Sequence, residues 1–188
     1  MKDNAKLYMV MIGCRPKGRF TEQHDIFFGI GTSLKELLPQ MTAFWPEAKG
    51  KFHIDAWREV TAVDNYAIEI VPKGTSDATN QNLFFINLGG YKENEFEEYH
   101  YKIITVAETM AEASKKAKTT SFFKHCGFKG ATSHIDDKFG VDVDDIFNVK
   151  EILAETFKNQ FTIAITKPKV ALPEDVLHIG YLKLDKIV

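Results

Sequence analysis

The chain has little with which to crosslink itself. Its 188 residues hold two cysteines, Cys14 and Cys126, too few for a disulfide framework. Both read as free thiols of a reducing cytosol. His125 adjoins Cys126, but side chains adjacent in sequence point apart, which disfavours a nucleophilic Cys–His pair. No apolar run is long enough to span a bilayer. The N-terminal MKDNAKLYMV lacks the layout of a signal peptide, so a cytoplasmic, soluble protein without membrane contact is expected. Neither sign of charge dominates: 24 Lys and Arg stand against 26 Asp and Glu, a net charge of −2. A generic binder of phosphate backbones needs a basic face, so nucleic acid is not expected as a partner. HExxH and CxxC spacings are missing, and Gly13–Gly18 is no P-loop, because the Gly-Lys-Ser/Thr ending is absent.

What is present is a repeat. Residues 7–37 align without a gap on residues 83–113, each position 76 residues on, with six identities: Leu7/Leu83, Gly13/Gly89, Phe20/Phe96, Glu22/Glu98, His24/His100 and Glu36/Glu112. Three of the pairs are polar, which shared hydrophobic patterning alone does not produce. A linker of turn-forming residues, 72–82, separates the copies. The expected fold is α+β: two tandem β-β-α-β-β repeats packed with pseudo-two-fold symmetry, plus a C-terminal strand-containing extension. The first repeat spans 1–71, the second 83–153, and the extension 154–188 packs on the repeats. Each copy is small enough for its own core to be marginal, which favours a shared one, and a homodimer is also compatible.

Within the first copy, 7–12 and 24–30 read as strands, as do Lys51–Glu59 and Tyr66–Val71. Ser33 with Glu36 predicts a capping box. Leu34, Leu37, Leu38, Met41 and Trp45 then form one apolar helical stripe, ended by Pro46. Thr109 and Glu112 repeat the box in the second copy, where Met110, Ala113 and Ala117 form a slimmer stripe. A short helix at Val149–Phe157 and strands at Gln160–Thr166 and Leu177–Leu184 complete the pattern.

Three constellations carry chemistry. Phe-x-Glu-x-His occurs as Phe20, Glu22, His24 and as Phe96, Glu98, His100. A carboxylate beside an imidazole can orient the ring for acid/base work, or can simply pin the preceding loop. Glu22, His24, Glu98 and His100 are thus the catalytic candidates, and His24 and His100 are also ligand-binding candidates. His-x-Asp occurs as His53/Asp55 and His134/Asp136, residue types that suit a divalent transition metal. If the strands carrying Glu22/His24 and His53/Asp55 are neighbours, each copy assembles two histidines and two carboxylates. No cofactor is expected; a metal is the lesser alternative. The loop between the first two strands is basic in the first copy (Arg15, Lys17, Arg19) and acidic in the second (Glu93, Glu95, Glu97, Glu98). The basic version is an anion-binding candidate, and solvated loops of drifting charge are the plainer alternative. The acidic run Asp136–Asp145 lacks EF-hand spacing, and Phe44, Trp45, Phe122, Phe123 and Phe128 fit core packing.

The stretches LYMVMIGCRPKGRFTEQHDIFFGIG, FHIDAWREV, LFFINLGGYKENEFEEYHYK, GATSHIDDKFGVDVDD and LHIGYLKL resemble a small bacterial family classed only as a domain of unknown function, the one numbered 1543. Its members carry one or two copies of a domain of about fifty residues, and this chain resembles a two-copy member. The resemblance implies a soluble bacterial protein and no particular activity. From the residues, the leading expectation is a binding module acting through the strand 1–strand 2 loops on an unknown small ligand or protein. A metal-dependent or acid/base hydrolase built on the Glu/His and His/Asp pairs is the alternative, and a structural subunit of an assembly a third. Whether the chain is an enzyme is left open.

Overall fold

The computed structural model describes residues 4–75, 79–91, 94–119 and 146–187. The fold is mixed α+β and divides into two units: Met1–Ser76 with Leu153–Val188, and Asp77–Ile152. Among the described residues no helix is long and apolar enough to cross a membrane.

The first unit contains strands β1 (Lys6–Cys14), β2 (Gln23–Gly31), β3 (His53–Val60), β4 (Ala62–Val63), β5 (Tyr66–Pro72), β9 (Phe161–Thr166) and β10 (His178–Lys183). One antiparallel sheet has the order β10-β3-β1-β2. Strand β1 sits at its middle because it is apolar on both faces: Leu7, Tyr8, Val10, Ile12 and Cys14 are all buried. Alternation sends Tyr8, Val10, Ile12 and Cys14 into a core with Phe27, Leu37, Met41 and Ile54. Residue Gly13 therefore lies on the opposite face. The second sheet, β4-β5-β9, holds the last strand of the expected repeat, which leaves the β1 sheet. A two-residue turn at Asp64 and Asn65, φ 51° and 63°, folds β4 back onto β5, the left-handed geometry a tight hairpin needs. Residues 154–188, expected as an extension packed on the repeats, supply β9 and β10 to the two sheets of this unit.

The helical segment differs from the expected single capped helix. Leu34–Leu37 is a 3-10 turn and α1 is Leu38–Phe44. Pro39 explains the break: it has no N–H to continue a helix from upstream, yet suits a first turn. The Ser33 hydroxyl makes no capping bond. Glu36 instead accepts the Thr32 N–H at 2.9 Å.

The second unit has the sheet order β7-β6-β8, from β6 (Asn82–Tyr91), β7 (Glu98–Ala107) and β8 (Ile146–Asn148). Its hairpin repeats the register of the first: Gly89 stands opposite His100 as Gly13 stands opposite His24. Asn148 faces Phe84 as Glu59 faces Tyr8. Helix α2 (Met110–Ala117) is capped as expected, the Thr109 hydroxyl accepting the Glu112 N–H at 3.2 Å. Ala113 and Ala117 are fully buried against Phe84, Ile86 and Leu88. The helix expected at Val149–Phe157 is two single turns, α3 (Val149–Ile152) and α4 (Glu155–Lys158). His134, Asp136, Cys126, the acidic run, Glu93 and Phe122, Phe123 and Phe128 lie outside the described residues.

Candidate metal centre

The site forms over a missing side chain. Gly13, on β1, faces His24 on β2 and His53 on β3 in the two ladders. Side chains from both flanking strands lean over the gap. A β-carbon built on Gly13 would stand 2.6 Å from Asp55 Oδ2, 2.7 Å from His53 Nε2 and 3.0 Å from His24 Cδ2. Such separations exclude any residue larger than glycine unless the cluster moves.

A bulge delivers the fourth member. Ile12 pairs with Ile54 and Met11 with Ala56, so Asp55 is an extra residue in β3. An extra residue bends the strand and re-aims its side chain. In this case it brings the Asp55 carboxylate beside the His53 ring instead of one strand repeat away. Glu22 arrives from the other side, at the end of the β1–β2 loop just before β2 begins.

The result is two imidazoles alternating with two carboxylates. His53 Nε2 lies 3.2 Å from Asp55 Oδ2 and 3.4 Å from Glu22 Oε1. His24 Nε2 lies 3.4 Å from Asp55 Oδ2 and 3.7 Å from Glu22 Oε2. Donor atoms of Glu22, His24 and His53 all fall within 4.8 Å of one another. Donors at about 2.0–2.1 Å around one tetrahedral ion stand about 3.3 Å apart; the four imidazole–carboxylate pairs are close to that, and Glu22, His24 and His53 form the mutually close set, with Asp55 beside both imidazoles. His53 Nε2 and Asp55 Oδ2 are buried and have no hydrogen-bond partner among the described residues. Burying polar atoms without a hydrogen bond is costly, and here only the opposite charges at 3.2–3.4 Å offset it.

The surroundings are graded. Side-chain exposure is 10% at His53 and 21% at Asp55, but 40% at His24 and 46% at Glu22. One side of the cluster is therefore held in the sheet and the other meets solvent. Tyr181 on β10 packs on the His53 ring, centroids 4.4 Å apart, and the rings of Trp57 and His178 stack at 3.8 Å at the other end of the same ladder. Asp25 takes no part: its carboxylate accepts the Ile26 N–H, and burial pushes its pKa up against that bond. Cys14 points into the core. Burial, then the charges of Glu22 and Glu47, raise its thiol pKa, which disfavours the thiolate needed for attack or ligation.

The other candidates are placed as follows. Glu98 and His100 approach at 3.8 Å between Oε2 and Nε2, and His100 Nδ1 meets the Asn87 amide at 3.1 Å. Arg15, Lys17 and Arg19 are exposed on the β1–β2 loop. Phe20 and Phe96 precede their strands and are fully exposed. Gly13 stood out in the sequence only as one of two matched glycines. The part of Tyr181 left no signal there, because a ring stacked across strands is not a sequence pattern.

Residues 19–70 match the model of a family described as Domain of Unknown Function (DUF1543). That stretch is similar to a DUF1543 domain. It contains Glu22, His24, His53 and Asp55, so the whole donor set falls within the matched DUF1543 segment. No curated protein matches the chain. Among solved structures, the crystal structure of a protein Il1583 from Idiomarina loihiensis is similar, with a TM-score of 0.64 at 21% identity over 96% of this chain and 98% of that one. At that identity the likeness concerns the fold.

Proposed function

We propose that the first unit is a binding module whose primary ligand is a divalent transition-metal ion, held by Glu22, His24, His53 and Asp55 above Gly13. The carrying observation is the set of four imidazole–carboxylate separations between 3.2 and 3.7 Å, together with the burial of His53 Nε2 and Asp55 Oδ2 without a hydrogen bond. Mixed nitrogen and carboxylate donors suit zinc and its neighbours rather than magnesium or calcium. The β1–β2 loop enters this reading through Glu22. The shared register of the two hairpins supports reading the chain as two copies of one ancestral unit.

The test is metal analysis of protein purified without chelator, followed by titration of chelator-stripped protein with zinc. About one equivalent bound, lost in His53→Ala and in Asp55→Ala while the far-ultraviolet circular dichroism is kept, is the expected result. A stripped protein that takes up less than about a tenth of an equivalent ends the proposal.

A further inference from the structure

We infer that the metal centre receives a phosphate-type oxyanion, drawn to the ion by the β1–β2 loop; this rests on the metal reading above. The loop leaves the sheet at Cys14, one residue after the floor of the site, and returns at Glu22, a member of the site. Between these ends stand Arg15, Lys17 and Arg19, and no acidic residue. Chain length bounds their distance: the Arg15 Cα lies within about 7 Å of that of Gly13, and the Arg19 Cα within about 11 Å of that of Glu22. These spans are comparable to the screening length at physiological salt.

The loop is shaped, not slack. Arg19 N–H donates to the Pro16 carbonyl at 3.1 Å, and Gly18 adopts φ +83° at the third position of that turn. A type II turn requires such a residue there. All three cations are exposed, and among the described residues none forms an ion pair with a carboxylate.

Charge balance then selects the ligand's sign. A dication is balanced by the carboxylates of Glu22 and Asp55; the β1–β2 loop then adds three cations, against which Glu47 stands near Cys14 at the start of the loop. The ion is approachable past His24 and Glu22, the half-exposed members of the set, and Glu22 is where the loop rejoins the sheet. If the ion is held chiefly by the mutually close Glu22, His24 and His53, a four-coordinate ion keeps a position for an exogenous oxygen donor. In the second unit the corresponding loop carries Glu95 and Glu97. That unit should therefore not share the anion preference.

Cobalt(II) replaces zinc with a visible spectrum that reports its coordination. Cobalt-loaded full-length protein is titrated with inorganic phosphate at constant ionic strength. A saturable change in the cobalt band is expected. The combined variant Arg15→Ala, Lys17→Ala, Arg19→Ala should weaken it about tenfold while cobalt stoichiometry is unchanged. If cobalt binds but phosphate leaves its spectrum untouched, the oxyanion inference is overturned and the metal reading stands. If the triple variant binds phosphate as well as the parent, the loop has no such part and the inference also fails. If cobalt itself does not bind, both readings go.

Discussion

Gly13 matters for the atom it does not have. Its neighbours in β1 are ordinary core residues, and nothing in its backbone requires glycine, since its φ is not positive. What requires glycine is the space above it, which the side chains of Asp55, His53 and His24 occupy. Gly13→Ala should therefore leave the sheet folded but weaken zinc binding by about tenfold or more, because the methyl group displaces His53 and Asp55. A chelator competition titration beside a thermal melt separates the two effects; a lower melting temperature with unchanged affinity would contradict this account. Tyr8 gives a second test at this scale. Burial, and then the Glu59 carboxylate that accepts its hydroxyl at 3.1 Å, raise its pKa from 10.0 to about 12. The native state thus keeps a proton that the unfolded chain loses. This contribution is fully present below pH 10 and disappears as pH rises through about 12. Tyr8→Phe should flatten the alkaline loss of stability, measured by denaturant melts at pH 9 to about 12.

The two helix starts look alike in sequence and differ in what they do. Thr109 and Glu112 form the reciprocal cap, with Glu112 Oε2 accepting the Glu108 N–H at 3.0 Å. Ser33 occupies the matching position without a side-chain bond, because Pro39 redirects the segment into a 3-10 turn first. Thr109→Ala should cost about 1 kcal/mol, whereas Ser33→Ala should cost no more than a few tenths. Urea denaturation of both variants decides it, and equal losses would show that the sequence motif, not the observed bond, governs. The strands teach the complementary lesson. The apolar runs of β1 and β2 were legible because alternation and length are local properties. The bulge at Asp55 was not, because a register shift is a relation between two strands.

The C-terminal segment belongs to the first unit through a single buried carboxylate as much as through its strands. Asp175, with its side chain 2% exposed, meets Arg58 Nη2 at 3.0 Å. It also accepts the Thr61 hydroxyl at 2.6 Å and the Ala62 N–H at 3.0 Å. That set joins the chain before β10 to the corner between β3 and β4. Removing the carboxylate strands Arg58 among partly buried groups, so Asp175→Ala should cost about 3 kcal/mol. It should also loosen β10, the strand that holds Tyr181 against His53. Hydrogen exchange of the β10 and β3 amides reads this directly. Unchanged protection at β10 would mean that the strand is held by its ladder alone.

The sequence by itself determined the α+β class, the matched hairpins, the helix stripes and the identities of the two Glu/His pairs and of His53 and Asp55. All of these follow from residue type and short-range period, which act over a few positions. Tertiary structure alone decided that Glu22, His24, His53 and Asp55 meet above a glycine on the strand between them, that β5 leaves for a second sheet, and that β9 and β10 return to complete the first unit. Strand order and ladder register bring these residues together across long stretches of chain, and no local pattern in the residues records which strand will lie beside which.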